Sequence, residues 1–459
     1  MAPETSVNNE TVRVIDQAQI EIESPHRPLV GQVAPPGSKS ITNRALLIAA
    51  LASGSSHLSG ILISDDTLYM MTALRAMGVE INNLDSTTLS VRSPGKLKAP
   101  QAPLFLGNSG TTTRFLTAAA ALADGEVILD GDKHMRQRPI RPLVDALHAL
   151  GVDATTASGC PPVIVKGRGS FSGDRVEVDA NLSSQYVSAL LMIAACGEGP
   201  VEVALRGART NHTDTGVDNP EKSEIGARGY IDLTLATMRS FGASITAVDS
   251  DTWRVEPTGY SATEYKVEPD ASACTYFWAA EVLTGGRIEF QSDTAHMTQP
   301  DAKARDLIRQ FPNLPSVIDG SQIQDAIPTL AVLAAFNMQP VRFVGIGNLR
   351  VKECDRIRAL SIGLCQIKPG LATEEGDELV VQGNVIQGNA SLAATEVQTV
   401  IDSWDDHRIA MSFALAGLRL NGIIIDNPGC VSKTFPGYWD ALANLGVNFK
   451  VPEARPQLV

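Results

Sequence analysis

Lysine, hydroxyl groups and arginine stand close together in the run Gly37-Ser38-Lys39-Ser40-Ile41-Thr42-Asn43-Arg44, at the mouth of an apolar stretch from Ala45 to Leu51. A helix start offers unpaired N–H groups and a partial positive charge, which suits a phosphate or carboxylate. Ser40 and Arg44 are four apart and share a helix face. A capped surface helix also begins with a serine, so this run alone leaves both readings open. A second run, Gly107-Asn108-Ser109-Gly110-Thr111-Thr112-Thr113-Arg114, has the same form: a glycine, an arginine seven residues on, then an apolar segment. Glycine permits tight turns and close backbone approach to a ligand. Two such runs in register are far more specific than one.

The densest ionisable cluster is Asn348-Leu349-Arg350-Val351-Lys352-Glu353-Cys354-Asp355-Arg356. If this stretch is helical, Lys352 and Glu353 both share a face with Arg356. Glu353 is then a candidate acid/base whose pKa the neighbouring cations tune, against the plainer reading of a salt-bridged surface helix. Cys354 is a candidate thiolate or a structural cysteine. Further polar openings are Ser183-Ser184-Gln185, Asp325, and Asp405-Asp406-His407-Arg408, while Lys133, Arg136, Arg138 and Lys433 lie in connecting segments. His407, at one of these openings, directs attention to Arg408. Any one of these charges could be an ordinary solvated group. Their recurrence beside helix starts predicts a cleft that gathers cations around anionic reactants.

The elements that must position them repeat six times. An Ala-rich apolar segment ends near a glycine or turn and is followed by a short β-like run: Ala45–Gly54, Phe115–Gly125, Val187–Gly199, Tyr276–Gly286, Thr329–Gln339 and Ile409–Gly422. These segments are apolar nearly all round, so they read as buried helices. Amphipathic helices follow most of the strands, as in Asp65–Gly78, where Leu68, Met71, Leu74 and Met77 recur at helical spacing. Six units split three and three. The Pro- and Gly-bearing stretch Glu256–Pro269 separates the third from the fourth, and Pro35-Pro36-Gly37 is a second candidate crossing. The expected division is residues 38–265 as one domain, with residues 1–37 plus 266–459 as the other. Length alone favours about three domains; the repeat favours two.

Composition narrows the partners. The 459 residues are 44% hydrophobic and 19% charged, with a formal net charge of −13 and only 5% aromatics. This balance argues against a nucleic acid or an anionic membrane as partner, and requires that cations for an anionic substrate be gathered locally. The six cysteines are scattered, with no CxxC pair or Cys/His metal spacing, and the chain reads as reduced. No apolar run approaches a membrane span, and the first 24 residues carry acids and lack a signal pattern. The expected location is the cytoplasm.

Taken together, the motifs resemble those of the 5-enolpyruvylshikimate-3-phosphate (EPSP) synthases. The matching stretches are Pro36–Leu46, Leu106–Thr111, Arg138-Pro139-Ile140, Ser183-Ser184-Gln185, Arg350–Arg356, Asp406-His407-Arg408 and Lys433–Pro436. They run in family order over almost the whole chain and look most similar to the fungal type, a domain of the pentafunctional AROM polypeptide. The resemblance implies an α/β fold of two similar domains, each of three βαβαββ units with buried parallel helices (an inside-out α/β barrel), with the N-terminal strands joining the C-terminal half. It implies transfer of the enolpyruvyl group of phosphoenolpyruvate (PEP) to the 5-hydroxyl of shikimate 3-phosphate, with no metal or organic cofactor. By motif, Lys39, Arg138, Arg356, Arg408 and Lys433 would bind PEP, with Asn108, Gly110 and Thr111 shaping its pocket. Ser40, Arg44, Ser183, Ser184, Gln185, Tyr230, Asn348 and Lys352 would bind shikimate 3-phosphate. Asp325 would take the hydroxyl proton and Glu353 would exchange one with the PEP methylene carbon; Lys39, Lys433 and Cys354 complete the candidate catalytic set.

Four departures from the family pattern stand out. Ala227 replaces a serine three residues before Tyr230, after a long polar stretch at 207–226 in which Ser223 is the candidate substitute. Phe115 and Ser109 flank Gly110 and Thr111 where proline and alanine are common, which leaves sensitivity to glyphosate open. Asp405 replaces an asparagine. The rival readings are the sister transferase acting on UDP-N-acetylglucosamine, and a silent phosphate-ligand binding domain. Partners beyond the two substrates would be other shikimate-pathway domains, if the chain belongs to a longer polypeptide.

Overall fold

The computed structural model describes residues 14–179, 183–206, 228–385 and 396–452. Ala227, Ser223 and the 207–226 stretch lie outside the described residues.

Among the described residues, twelve α-helices alternate between two kinds. In the first half, α1 (Lys39–Leu51) is buried on nearly every side and α2 (Asp65–Ala76) covers a sheet. The alternation repeats with α3 (Gly110–Ala119) and α4 (Arg141–Ala149), then α5 (Ser184–Ala194) and α6 (Gly229–Ser240). In the second half come α7 (Ala271–Thr284) and α8 (Ala304–Ile308), α9 (Ile327–Ala335) and α10 (Arg356–Ile367), and α11 (His407–Gly417) and α12 (Tyr438–Asn444). Small residues let the odd-numbered helices pack closely: α3 lies against α1 and α5, and α7, α9 and α11 touch one another. Buried apolar residues form two separate clusters, one drawn from residues 41–267 and the other from 20–33 with 273–447.

The strand leaving each buried helix organises a small sheet. Val341–Val344 is typical: it pairs in parallel with Val317–Asp319 and antiparallel with Glu378–Val381, which pairs antiparallel with Ala372–Glu375. The same parallel–antiparallel–antiparallel order recurs in four more sheets, and a sixth has two strands. Both N-terminal strands belong to the second half. Gln19–Glu23 lies between Asn421–Asp426 and Asn448–Lys450, and Val30–Val33 pairs with Arg287–Phe290. The stretch 256–269 gives the first half two strands, Tyr260–Ser261 and Glu264–Lys266, both along Ala52–Ser59.

The chain passes between the halves twice, side by side. Ser38 donates its N–H to the Glu268 carbonyl at 2.9 Å, and Asp270 donates to the Pro36 carbonyl at 2.8 Å. Gly37 lies between them against the backbone of Gly60, where a Cβ would meet the carbonyl oxygen at 1.9 Å.

Three local expectations change. Helix α1 begins at Lys39, ahead of the apolar stretch from Ala45, so the polar run forms its first turns and Ser40 and Arg44 lie four apart within it. Gly54, Gly125 and Gly422 are strand residues with positive φ, because the buried helices run into their strands almost without a turn. The stretch Lys352–Asp355 is not helical: it joins a 3-10 turn, Gly347–Val351, to α10, which Asp355 caps by accepting from the Arg358 N–H.

Candidate functional site

The openings of the buried helices meet at the seam between the halves. Their first-turn N–H groups are largely satisfied within the protein. On α1, Ile41 donates to Ser38 Oγ, and Lys39 donates across the crossing to Asp270 Oδ2 at 3.1 Å. On α5, Gln185 donates to Ser183; on α11, Arg408 donates to Asp406. Helix α3, behind Ser109, and α9, behind Ala326, have no side-chain acceptor at the N-cap, and of these two α3 has no acid beside its start. The attraction for an anion therefore falls mainly on cationic side chains, with helix-dipole attraction an addition at α3.

One pocket is lined by Lys39, Ser40, Arg44, Thr111, Ser183, Ser184, Gln185, Tyr230, Gln324, Asp325, Asn348 and Lys352. It unites residues of both halves, including every residue that the resemblance assigned to shikimate 3-phosphate. Arg44 is buried, and its four hydrogen bonds go to neutral oxygens of Ser40, Ser188, Tyr230 and Thr234, the last at 2.7 Å. Its guanidinium lies over the Phe115 ring at 5.2 Å. Phe115 thus supports a cation, a role with no signal in the sequence. Burial lowers Arg44 to about 10, still well above neutrality. Burial likewise lowers Lys352 to about 8, although Asp325 acts to raise it. Asn348 Oδ1 and Gln324 Oε1 are buried without a hydrogen-bond partner, so the pocket holds unspent polar capacity.

Beside it, the remaining candidates form one ionic network. Arg356 binds Asp325 Oδ1 at 3.1 Å, Glu353 Oε2 at 2.8 Å and Asp406 Oδ2 at 2.7 Å. Arg408 binds Asp325 Oδ2 at 2.7 Å. From the other side, Lys433 reaches Glu353 Oε1 at 3.1 Å and the Asn108 carbonyl at 2.6 Å. Arg138 lies 3.9 Å from Glu353 Oε1 and 3.3 Å from Asn108 Oδ1. Lys39 pairs with Asp66 at 3.5 Å. Gly110 lets two guanidiniums approach, since a Cβ there would lie 2.7 Å from both Arg114 Nη1 and Arg138 Nη2.

Burial disfavours ionisation of both central acids, but the cations outweigh it. Arg408, Lys352 and Arg356 hold Asp325 below the usual carboxylate range; Lys433, Arg356 and Arg138 do the same for Glu353. The seam gathers eight cations, Lys39, Arg44, Arg114, Arg138, Lys352, Arg356, Arg408 and Lys433, against six carboxylates, Asp66, Asp270, Asp301, Asp325, Glu353 and Asp406. That excess fits a ligand of several negative charges on a protein whose net charge is −13.

Two candidates stand apart. Cys354 Sγ points to Asp406 Oδ2 at 3.6 Å, and burial and that carboxylate raise its pKa, so it is a neutral thiol beside the network. His407 is buried, its ring nitrogens make no hydrogen bond, and burial and Arg408 keep it uncharged. Sequence reading missed Asp66, Asp301, Gln299 and Gln324. Asp66 follows Asp65 at the start of α2, where an acid reads as ordinary helix-dipole chemistry; the others carry no local signal. Among the described residues no His/Cys/Asp/Glu group is arranged to hold a metal ion.

A family model described as EPSP synthase (3-phosphoshikimate 1-carboxyvinyltransferase) matches residues 24–442. The chain is 60% identical over 432 residues to a 3-phosphoshikimate 1-carboxyvinyltransferase of Pseudomonas syringae pv. syringae, covering 94% of this chain and 99% of that one. It is 59% identical to the protein of that name from Rhizobium leguminosarum bv. trifolii, covering 94% and 98%. Among solved structures, EPSP synthase from Acinetobacter baumannii aligns with a TM-score of 0.74 at 24% identity, over 94% of this chain and 99% of that one. At that identity the structural likeness speaks to the fold.

Proposed function

This chain belongs to the EPSP synthase family, and on that premise we propose how its cleft performs the reaction. The chain is a 3-phosphoshikimate 1-carboxyvinyltransferase: it moves the enolpyruvyl group of PEP to the 5-hydroxyl of shikimate 3-phosphate and releases phosphate. The observation that carries the assignment of roles is the placing of Asp325 and Glu353 on either side of Arg356, within a ring of cations from both halves.

In our reading, shikimate 3-phosphate occupies the pocket of Arg44, Lys352, Ser40, Ser183, Ser184, Gln185, Tyr230 and Asn348, which sets its 5-hydroxyl towards Asp325. PEP lies against Lys39, Arg138, Arg356, Arg408 and Lys433, beside Asn108, Gly110 and Thr111. Without ligand, the cations keep Glu353 ionised. An anion bound to those same cations offsets their field and returns proton affinity to Glu353. Glu353 then delivers a proton to the PEP methylene carbon. The adjacent carbon gains positive character, the 5-hydroxyl oxygen bonds to it, and Asp325 takes the hydroxyl proton. The tetrahedral intermediate collapses as its bond to the phosphate oxygen breaks, Glu353 recovers a methyl proton, and the hydroxyl proton leaves with phosphate. Positioning and a preorganised field supply the rate. Cys354 has no step in this scheme.

The bacterial relatives, covered over nearly their whole length, lend no support to the finer likeness to the fungal multifunctional subtype. We place the enzyme in the cytoplasm; its six free cysteines fit a reducing compartment, and no helix among the described residues is long and apolar enough to cross a membrane.

The test is phosphate release from PEP with either shikimate 3-phosphate or UDP-N-acetylglucosamine as acceptor. Turnover is expected with the first alone. Glu353→Gln should lower it about 10²- to 10⁴-fold while retaining substrate binding. Turnover only with the UDP-sugar would overturn the function, and near-normal turnover by Glu353→Gln would overturn the acid/base assignment.

A further inference from the structure

The loop Thr298-Gln299-Pro300-Asp301 touches the hinge, the substrate pocket and the base at once. Its first residues grip the crossings. Glu268 accepts from Thr298 N–H at 3.0 Å and Gln299 N–H at 3.1 Å. Gln299 Oε1 accepts from Ser38 Oγ at 2.8 Å and Ala271 N–H at 3.2 Å, so one buried amide holds the start of α1 and the start of α7 together. Pro300 lies against Gly229, where a Cβ would come within 2.8 Å of the proline ring. Asp301, fully buried, takes the Tyr230 hydroxyl from the other half at 2.5 Å with Oδ2, and the Ala326 N–H at 3.0 Å with Oδ1. Ala326 directly follows Asp325 in the 3-10 turn Gln324–Ala326.

We propose that Asp301 is a positioning residue that ties closure of the two halves to the placement of Asp325, by accepting Tyr230 across the seam and the Ala326 N–H beside the base. The inference rests on the function proposed above, in which Asp325 takes the hydroxyl proton. When the halves separate, Tyr230 leaves with α6 and one of the two donors that fix the carboxylate is lost. The Ala326 N–H, which also reaches the Ile323 carbonyl at 3.0 Å, then meets a carboxylate no longer fixed from across the seam, and the orientation of Asp325 rests more heavily on Arg356 and Arg408. Buried polar groups that lose one partner carry a full desolvation penalty, so the seam favours the state in which both bonds are made. Burial and the charge of Asp325 raise the Asp301 carboxyl to about 6, with Asp270 adding to the rise and Tyr230 and Arg408 opposing it. Near neutrality it is ionised and accepts from both donors.

Two measurements test this. In phosphate-release kinetics, Asp301→Ala should lower kcat on the order of 10²-fold, the scale of a small misplacement of a reacting group, while KM for shikimate 3-phosphate changes far less. Tyr230→Phe should lower kcat in the wild type and have no further effect in Asp301→Ala. Asp301→Asn keeps an oxygen for Ala326 and can donate to the Tyr230 oxygen, so it should recover at least about tenfold. Losses that multiply in the double variant, or an Asp301→Asn no faster than Asp301→Ala, would overturn the proposal. Amide hydrogen exchange of the substrate-free protein is the second measurement. Tyr230→Phe should speed exchange at Ala326, in the opposite half; unchanged exchange there would also overturn it. Should Asp301→Ala not fold, the Asn and Phe variants decide by exchange alone. A wild type that fails to release phosphate would overturn the function above, and the exchange measurement, which uses no substrate, would still decide this inference.

Discussion

At the scale of single residues, the site is built from groups held away from their ordinary protonation behaviour. Lys352 sits at about 8 because burial strips its solvent, and an arriving phosphate dianion would restore its charge. Binding of shikimate 3-phosphate should therefore weaken as pH rises through about 8 and draw a proton from solution there. Calorimetry in buffers of different ionisation enthalpy reads this directly, and an affinity flat from pH 7 to 9.5 would show that Lys352 does not meet the phosphate. Asp301 gives the opposite case, an acid that burial and the charge of Asp325 raise from the ordinary aspartate range to about 6. Its contribution to stability is complete below the lower value and is lost as pH rises through the higher one. Asp301→Asn, which has nothing to ionise, should melt above the wild type at pH 8, with the difference disappearing towards pH 4. Equal melting temperatures at both pH values would contradict a raised carboxyl. Much of this residue-level chemistry was legible: Asp325, Glu353, Lys39, Arg138, Arg356, Arg408 and Lys433 come from six separate stretches, and the structure brings them to one seam. Asp66, Asp301 and Gln299 were not, since each acts through partners across the seam or at the crossings, and no local pattern distinguishes them from ordinary polar residues.

Elements explain why the reading of positions shifted. The six buried helices were visible as Ala-rich segments because small apolar residues on every side suit only a helix inside a layer. In α1 the apolar stretch from Ala45 marks only the later turns, because Lys39, Asn43 and Arg44 are polar residues of the same helix that are nonetheless buried. The turn Lys352–Asp355 escaped for a related reason: Glu353 and Arg356 meet at 2.8 Å, as helical neighbours would, but through an extended turn capped by Asp355. The crossings depend on one backbone contact. Because a Cβ on Gly37 would meet the Gly60 carbonyl oxygen at 1.9 Å, Gly37→Ala must displace backbone rather than a flexible side chain. Overpacking of this kind costs about 1–3 kcal/mol. Urea unfolding should show the lowered midpoint, and kcat should fall with it, because Ser38 and Lys39 follow immediately. A variant with an unchanged midpoint would mean that Gly37 and Gly60 are not packed as described.

For the whole molecule, the decisive fact is that the residues of both proposed substrate sites are drawn from both halves. Arg44, Ser184 and Gln185 come from the half that contains α1 to α6, whereas Asp325, Asn348 and Lys352 come from the other; Lys39 and Arg138 likewise face Arg356, Arg408 and Lys433. Contacts across the seam are few and polar, such as Arg138 with Glu353, Lys433 with the Asn108 carbonyl, and Ser432 with Asp65 at 2.5 Å. An interface of that kind permits relative motion of the halves. Whichever substrate binds first must therefore draw the halves together, and the second meets a cleft already closed. The same closed state serves both ligands, so the coupling is reciprocal, with a typical size of about 5- to 150-fold. Titrating Asp325→Asn, which binds without turning over, should show PEP tightened by saturating shikimate 3-phosphate and shikimate 3-phosphate tightened by PEP to the same factor. Independent affinities would mean that one half alone holds a complete site. The Tyr230→Phe variant sharpens the measurement: losing a bond made only when the halves meet should weaken PEP when it binds first and must close the cleft, leave PEP nearly unchanged when shikimate 3-phosphate has already closed it, and so raise the coupling factor.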